Sequence, residues 1–199
     1  MRTPGRRESV AERRERRATI EDPAVVLEAA ARFLEVRSRS VAEVRRRLTG
    51  AGYRSDLVQG AIERLLELGM LDDEAFARAW VESRDRARPR GERAIREELR
   101  LKGVERTSID LVLADRREAV RGDAGGEIGG NGGSPPSPDR TAAERLLAKH
   151  RRSLERVANR RQRRQRAYML LARNGFDPET CREVAAAVDI TAEEAEPLD

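Results

Sequence analysis

The sequence predicts an all-α fold of tandem three-helix units, three repeats forming an elongated, curved helical array. Three observations predict it. The chain is rich in Ala, Leu, Glu and Arg, which are strong helix formers. Aromatic residues are 3% and charged residues 39%, so several small cores suit it better than one large one. No stretch alternates apolar and polar residues with β-branched enrichment, so almost no sheet is expected. Helix starts and stops then recur with clear chemistry, and glycines repeat at matching places.

Asp22-Pro23 supplies a cap followed by Pro at the first helical position, and the helix behind it carries Val26, Ala30, Phe33 and Leu34 on one face. Ser40 and Glu43 form a capping box for a second helix with Val44 and Leu48, ending at Gly52. Ser55 is placed to cap a third, with Val58, Ala61, Ile62 and Leu65, ending at Gly69. Asp72 and Asp73 open a fourth, where acidic groups suit the positive end of the helix dipole. Gly91 precedes a fifth that ends at Lys102-Gly103, and Thr107 with Asp110 opens a sixth. Thr141 with Glu144 opens a seventh, an Arg-rich eighth ends at Asn174-Gly175, and Asp177-Pro178 starts a ninth.

Nine helices suggest three units of three. Aligning them on Gly52, Gly103 and Gly175 places Leu48, Leu99 and Leu171 four residues earlier, and Val44, Ile95 and Ala167 eight earlier. Tyr53, Val104 and Phe176 follow by one residue, and Val58, Ile109 and Cys181 by six. Ala61, Val112 and Val184 follow by nine, and Ile62, Leu113 and Ala185 by ten. Each glycine reads as a left-handed C-cap whose next residue tucks into the core. The resulting organisation is a basic, disordered arm at 1–22, units at 23–69 and 70–121, a Gly/Ser/Pro-rich flexible linker at 122–138, an Arg-rich third unit at 139–190 and an acidic tail at 191–199. Arg163 stands where Ser40 and Gly91 stand in the other units. It caps poorly, which leaves open whether helices seven and eight are continuous.

Lys and Arg total 41 against 36 Asp and Glu, for a net charge of +5. All but Lys102 and Lys149 are Arg, which favours planar bidentate contacts to phosphate and carboxylate. Cys181 is the single cysteine, so no internal disulfide forms and a reducing, cytoplasmic compartment is expected. No apolar run approaches the length of a membrane span, and the N-terminus lacks the apolar stretch of a signal peptide. With one His and one Cys, no zinc site can be assembled. The glycines of 122–133 form no phosphate loop, because no Gly-Lys-Ser/Thr follows. No catalytic residue, cofactor or metal is expected.

Residues 69–80, GMLDDEAFARAW, resemble the signature of the RecX family: a Gly, two apolar residues, paired acids, then Phe-Ala and an aromatic. Arg37-Ser-Arg-Ser40 with Glu43, Val44 and Leu48 resembles that family's first unit. Gly91, Ile95, Glu98-Leu99 and Lys102-Gly103-Val104 resemble its second, and YMLLARNGF at 168–176 its third. The resemblance spans about residues 24 to 188. It implies a monomeric, non-enzymatic regulator that binds the RecA filament on DNA. It also implies that the protein modulates, generally inhibits, RecA ATPase and strand exchange in recombination, repair and the SOS response.

The paired Asp72 and Asp73 could be taken for catalytic carboxylates, but they sit where a helix begins. Phe76 and Trp80 follow at the spacing of a core stripe, so all four read as structural. Charge carries more functional promise. Residues 140 to 173 hold twelve Arg and Lys against two Glu. Arg160, Arg163 and Arg164 are expected on one helix face, with Arg156 a turn earlier and Arg161 and Arg166 beside them. Such a stripe can neutralise phosphates or pair with an acidic protein surface. Arg37, Arg39 and Arg45 are further candidates. The competing reading is a sequence-independent nucleic-acid-binding helical protein that acts without RecA, whereas a filament regulator is expected to bind DNA only weakly by itself.

Overall fold

The structure, a computed structural model, describes residues 8–123 and 137–188. The arm residues 1–7, most of the 122–138 linker and the acidic tail 191–199 lie outside the described residues. Among the described residues all regular structure is helical. The elements are α1 (Val10–Ala18), α2 (Pro23–Glu35), α3 (Val41–Ala51), α4 (Ser55–Glu67), α5 (Asp73–Ala87), α6 (Glu92–Leu101), α7 (Arg106–Asp123), α8 (Pro138–Glu155), α9 (Arg160–Arg173) and α10 (Pro178–Ala187).

Five starts differ from the sequence expectation, among them that of α7, which begins at Arg106 with Thr107 already inside it. The stretch that reads as a basic arm holds α1, which opens with a capping box: Ser9 Oγ accepts from the Glu12 amide and Glu12 accepts from the Ser9 amide. Two orphan donors are thereby satisfied reciprocally. Helix α4 starts with Ser55 already inside it, and Arg54 at the cap position makes no side-chain cap bond. Helix α8 begins at Pro138 behind Ser137, whose hydroxyl accepts from Arg140. Ser-Pro is another cap-plus-Pro start, so Thr141 lies inside the helix. Helices α8 and α9 are separate because Asn159 caps α9, accepting from Gln162. That cap lies one turn ahead of the Arg163 position.

The repeat is borne out by burial. Leu48, Leu99 and Leu171, then Val44, Ile95 and Ala167, are at most 2% exposed. The apolar triples six, nine and ten residues beyond the glycines are all buried too. Gly52, Gly103 and Gly175 have φ of 102°, 80° and 83°. The amide of Tyr53 reaches back to the Leu48 carbonyl at 3.3 Å, and that of Phe176 to Leu171 at 3.4 Å. These are the bonds by which a left-handed C-cap satisfies the last carbonyls of a helix. Of the residues following the glycines, Val104 and Phe176 are buried, whereas Tyr53 is only partly covered.

The chain divides into two compact units. One runs up to Phe76 and takes in Lys102–Glu105; the other holds Ala77–Leu101 and the chain from Arg106 onward. In the first, α2, α3 and α4 close around Val26, Val44, Leu48, Val58, Ile62 and Leu65. The Lys102–Gly103 turn is seated on the start of α3. Ser40 Oγ donates to the Lys102 carbonyl at 2.6 Å, and a Cβ on Gly103 would stand 2.3 Å from the Ala42 methyl. In the second unit, α8, α9 and α10 close around Leu146, Leu147, Leu171, Phe176 and Cys181. The Asn174–Gly175 turn there meets the start of α6 in the same way. The Gly91 amide donates to the Asn174 carbonyl at 3.0 Å, and a Cβ on Gly175 would stand 2.4 Å from the Ala94 methyl.

Candidate partner-binding surfaces

The signature acids satisfy backbone amides. Asp72 Oδ1 accepts from Glu74 and Ala75 at 2.8 and 2.9 Å, which caps α5. Asp73 Oδ1 accepts from the Val41 amide at 2.8 Å, tying the start of α5 to the start of α3. Phe76 is buried. Trp80 departs from the core stripe, being partly exposed. Its indole N–H donates to Glu98 at 2.8 Å, and the Arg84 guanidinium lies 4.3 Å over its ring while also bonding Glu98 at 2.6 Å. The polar edge of the ring meets a carboxylate at the surface.

Arg37, Arg39 and Arg45 do not converge. Arg37 bonds Glu43 at 3.3 Å and the Ser38 carbonyl. Arg39 stacks 4.3 Å over the Phe33 ring, with its Nε buried and without a hydrogen-bond partner. Arg45 donates to Gln59 at 2.7 Å on the exposed side of α3.

Glu43 is the hub of this region. It completes the Ser40 capping box and accepts from Lys102 Nζ at 2.7 Å. Burial raises its pKa, but Lys102, Arg37 and the Ser40 amide more than offset this and hold it below its ordinary value of 4.5. A depressed carboxyl contributes stability that is present above the unfolded-state pKa and lost as pH falls through the folded one. The unit should therefore lose stability on acidification below about pH 4.5, and Glu43→Gln should remove part of that acid dependence. Urea midpoints across this range check it, and an unchanged pH profile in the variant would remove Glu43 as a source.

The Arg-rich stripe resolves into distinct roles. Arg156 is not on α9; it is the C-cap of α8. Arg163 turns back, and its Nε donates to the Val157 carbonyl at 3.1 Å, so it holds the α8–α9 connection. Arg160, Arg161 and Arg164 line a concavity with Gln165 and Tyr168 of α9 and Arg182 of α10, of about 530 Å³. Arg166 is exposed outside it. Sequence reasoning missed Arg182, which lies 16 residues beyond the last Arg of the run, Arg166. Its signal is its place one turn ahead of Ala185 and Ala186 on α10. Among the described residues the lining brings four guanidiniums beside a tyrosine, a set that suits an anionic surface.

His150 is exposed, and Cys181 is fully buried. The Cys181 thiol sits 3.6 Å from the Phe176 carbonyl, and burial with nearby Asp177 and Asp139 raises its pKa. A buried thiol with a raised pKa is a poor nucleophile. No group of three or more metal-ligating side chains occurs among the described residues.

Comparison with known proteins bears on the same segments. Residues 27–65 match a family description reading "RecX, first three-helix domain", and residues 72–113 one reading "RecX, second three-helix domain". A "Regulatory protein RecX" from Mycobacterium leprae is 32% identical over 157 residues, which is 78% of this chain and 81% of that one. The chain belongs to the RecX family. Another RecX regulatory protein, from Mycolicibacterium smegmatis, is 45% identical over 84 residues, 42% of this chain and 45% of that relative. The stronger identity thus spans less than half of the relative's length. RecX from Lactobacillus salivarius shares the fold, with a TM-score of 0.67 at 16% identity, covering 85% of this chain and 98% of that one. A second RecX crystal structure superposes with a TM-score of 0.64 at 19% identity, covering 82% and 71%. This RecX-family chain is all-helical among its described residues. Among its described residues no helix is long and apolar enough to cross a membrane.

Proposed function

We propose that this chain regulates the RecA recombinase by binding its filament on DNA, and that it inhibits RecA ATPase and strand exchange as a cytoplasmic, non-enzymatic monomer. The observation that carries the reading is the similarity to a regulatory RecX protein over 78% of the chain. The three helical repeats, 23–69, 70–121 and 139–190, act together, with the basic concavity of α9 and α10 as a contact. Arginine can grip either exposed carboxylates of a protein filament or the phosphates inside it.

The test is RecA ATPase on single-stranded DNA with and without this protein. Hydrolysis should fall as the protein is added. Changing Arg160, Arg161 and Arg164 together to Gln keeps the helix, since Gln is nearly as good a helix former, and should weaken inhibition by about tenfold or more, at roughly 1 kcal/mol for each charged contact removed. Unaltered hydrolysis at saturating protein would remove the reading. Tight DNA binding without any effect on RecA would favour an independent nucleic-acid-binding protein.

A further inference from the structure

Helix α1 packs in an unusual way. A docked surface helix normally buries an apolar stripe, yet α1 has no buried residue. The face it turns toward α2 and α3 carries Val10, Arg13, Arg14 and Arg17, the i, i+3, i+4, i+7 spacing of one helix face. Its backbone comes so close to α3 that a Cβ on Gly52 would stand 2.8 Å from the Arg14 carbonyl oxygen. Arg17 fastens it by donating to the Ala51 carbonyl at 3.3 Å and lying 5.5 Å over the Tyr53 ring.

Opposite this face stand Arg32 of α2 and Arg46 and Arg47 of α3. Six guanidiniums from three helices therefore line one concavity of about 690 Å³, and among the described residues no carboxylate lines it. Of the nearby acids two are engaged away from the groove, while Glu28 pairs with one of its arginines, Arg32. Glu8 pairs with Arg16 at 2.9 Å and Glu12 closes the α1 cap. The Glu28 contact to Arg32 is 2.5 Å, and Glu28 does not enter the lining. Facing like charges repel and concentrate a positive potential in the cleft. In such a place a bound polyanion stabilises both itself and the docking of α1.

We propose that this groove holds the phosphate backbone of a nucleic-acid strand, and that binding the strand and clamping α1 onto α2 and α3 are one event. Phosphate fits the guanidinium fork bidentately. A protein partner is disfavoured by the lining itself, since protein–protein interfaces deplete charge at their centre whereas nucleic-acid interfaces are polar and strongly positive. The proposal does not depend on RecA, so its failure and that of the regulatory reading are separable.

The experiment uses the full chain without RecA and a fluorescent oligothymidylate, read by anisotropy over a range of salt. Arg13→Gln with Arg14→Gln is one variant, and Arg46→Gln with Arg47→Gln is the other. All four side chains lie at the surface rather than in the core, so the fold should stand. Each pair should lower affinity by about tenfold or more and flatten the log–log salt slope by roughly 0.7 for every phosphate no longer neutralised. In the parent, hydrogen exchange of the α1 amides should slow on saturation with the oligonucleotide. Parental slopes in both variants, or α1 exchange unmoved by the strand, would overturn the proposal. So would polyglutamate displacing the strand at equal charge concentration, which would make the groove a site for an acidic protein.

Discussion

Arg116→Met is expected to destabilise the protein by about 3–5 kcal/mol, because it removes the one cation from a largely buried ionic cluster. The Arg116 side chain is 6% exposed and forms a two-pronged contact with Asp85, at 3.0 and 2.8 Å. It also donates to Asp139 at 2.6 Å. Asp139 in turn accepts from the Glu92 amide at 2.9 Å at the start of α6. Burial pushes the Asp139 carboxyl above its ordinary range, while the Glu92 amide and Arg116 pull it back. Without the guanidinium the upward shift grows. A raised carboxyl favours the folded state at low pH, and that contribution is lost as pH rises from the unfolded-state pKa through the folded one. The variant should therefore be least stable near neutrality and recover part of its loss on acidification toward the ordinary carboxylate range. Adding Asp139→Asn should also recover part of it, since the amide oxygen can still accept from Glu92. Chemical denaturation of the single and double variants decides the matter, and a loss under about 0.5 kcal/mol for Arg116→Met would show that the cluster is effectively solvated.

Gly175→Ala is expected to cost roughly 2–6 kcal/mol, of which about 1–3 comes from holding a non-glycine residue at positive φ and about 1–3 from overpacking. The new methyl would lie 2.4 Å from the Ala94 Cβ and 2.6 Å from its backbone nitrogen, so relief requires moving the start of α6. Gly69 provides the internal comparison. Its φ is +66° but nothing lies within 4 Å of a Cβ there, so Gly69→Ala bears the backbone cost alone. Equal losses in the two variants would show that Gly175 is a turn residue only, with no close contact behind it.

Much of the fold is legible in the sequence because it rests on periodicity. The core positions recur at helical spacing about three glycines, and burial follows that pattern through all three repeats. The features that sequence does not reveal depend on tertiary contact. Helix α1 carries arginine where a packing helix carries leucine, so its sequence looks like a solvated arm. The Ser137-Pro138 start is hidden at the edge of a Gly/Ser/Pro run. Arg163 looks equivalent to Arg160 and Arg164 on a helical wheel, but the break at Asn159 leaves a carbonyl at Val157 for it to satisfy. Trp80 lies on the right stripe, yet Glu98 and Arg84 offer its indole a polar edge. The paired aspartates stand at a helix start, where Asp72 accepts backbone amides, although only the structure shows that Asp73 bonds a helix start 32 residues upstream.

The seating of the two glycine turns sets where this chain is free to change length. The Lys102 turn is located by a contact to Ser40, 62 residues earlier, and the Asn174 turn by one to Gly91. Each is placed through space, so the number of residues spent on the way does not enter. Selection can then lengthen or shorten the stretch between α7 and α8 without disturbing either seat. A protein engineer could use the same latitude, since a tag or reporter domain spliced between residues 124 and 136 would interrupt neither contact.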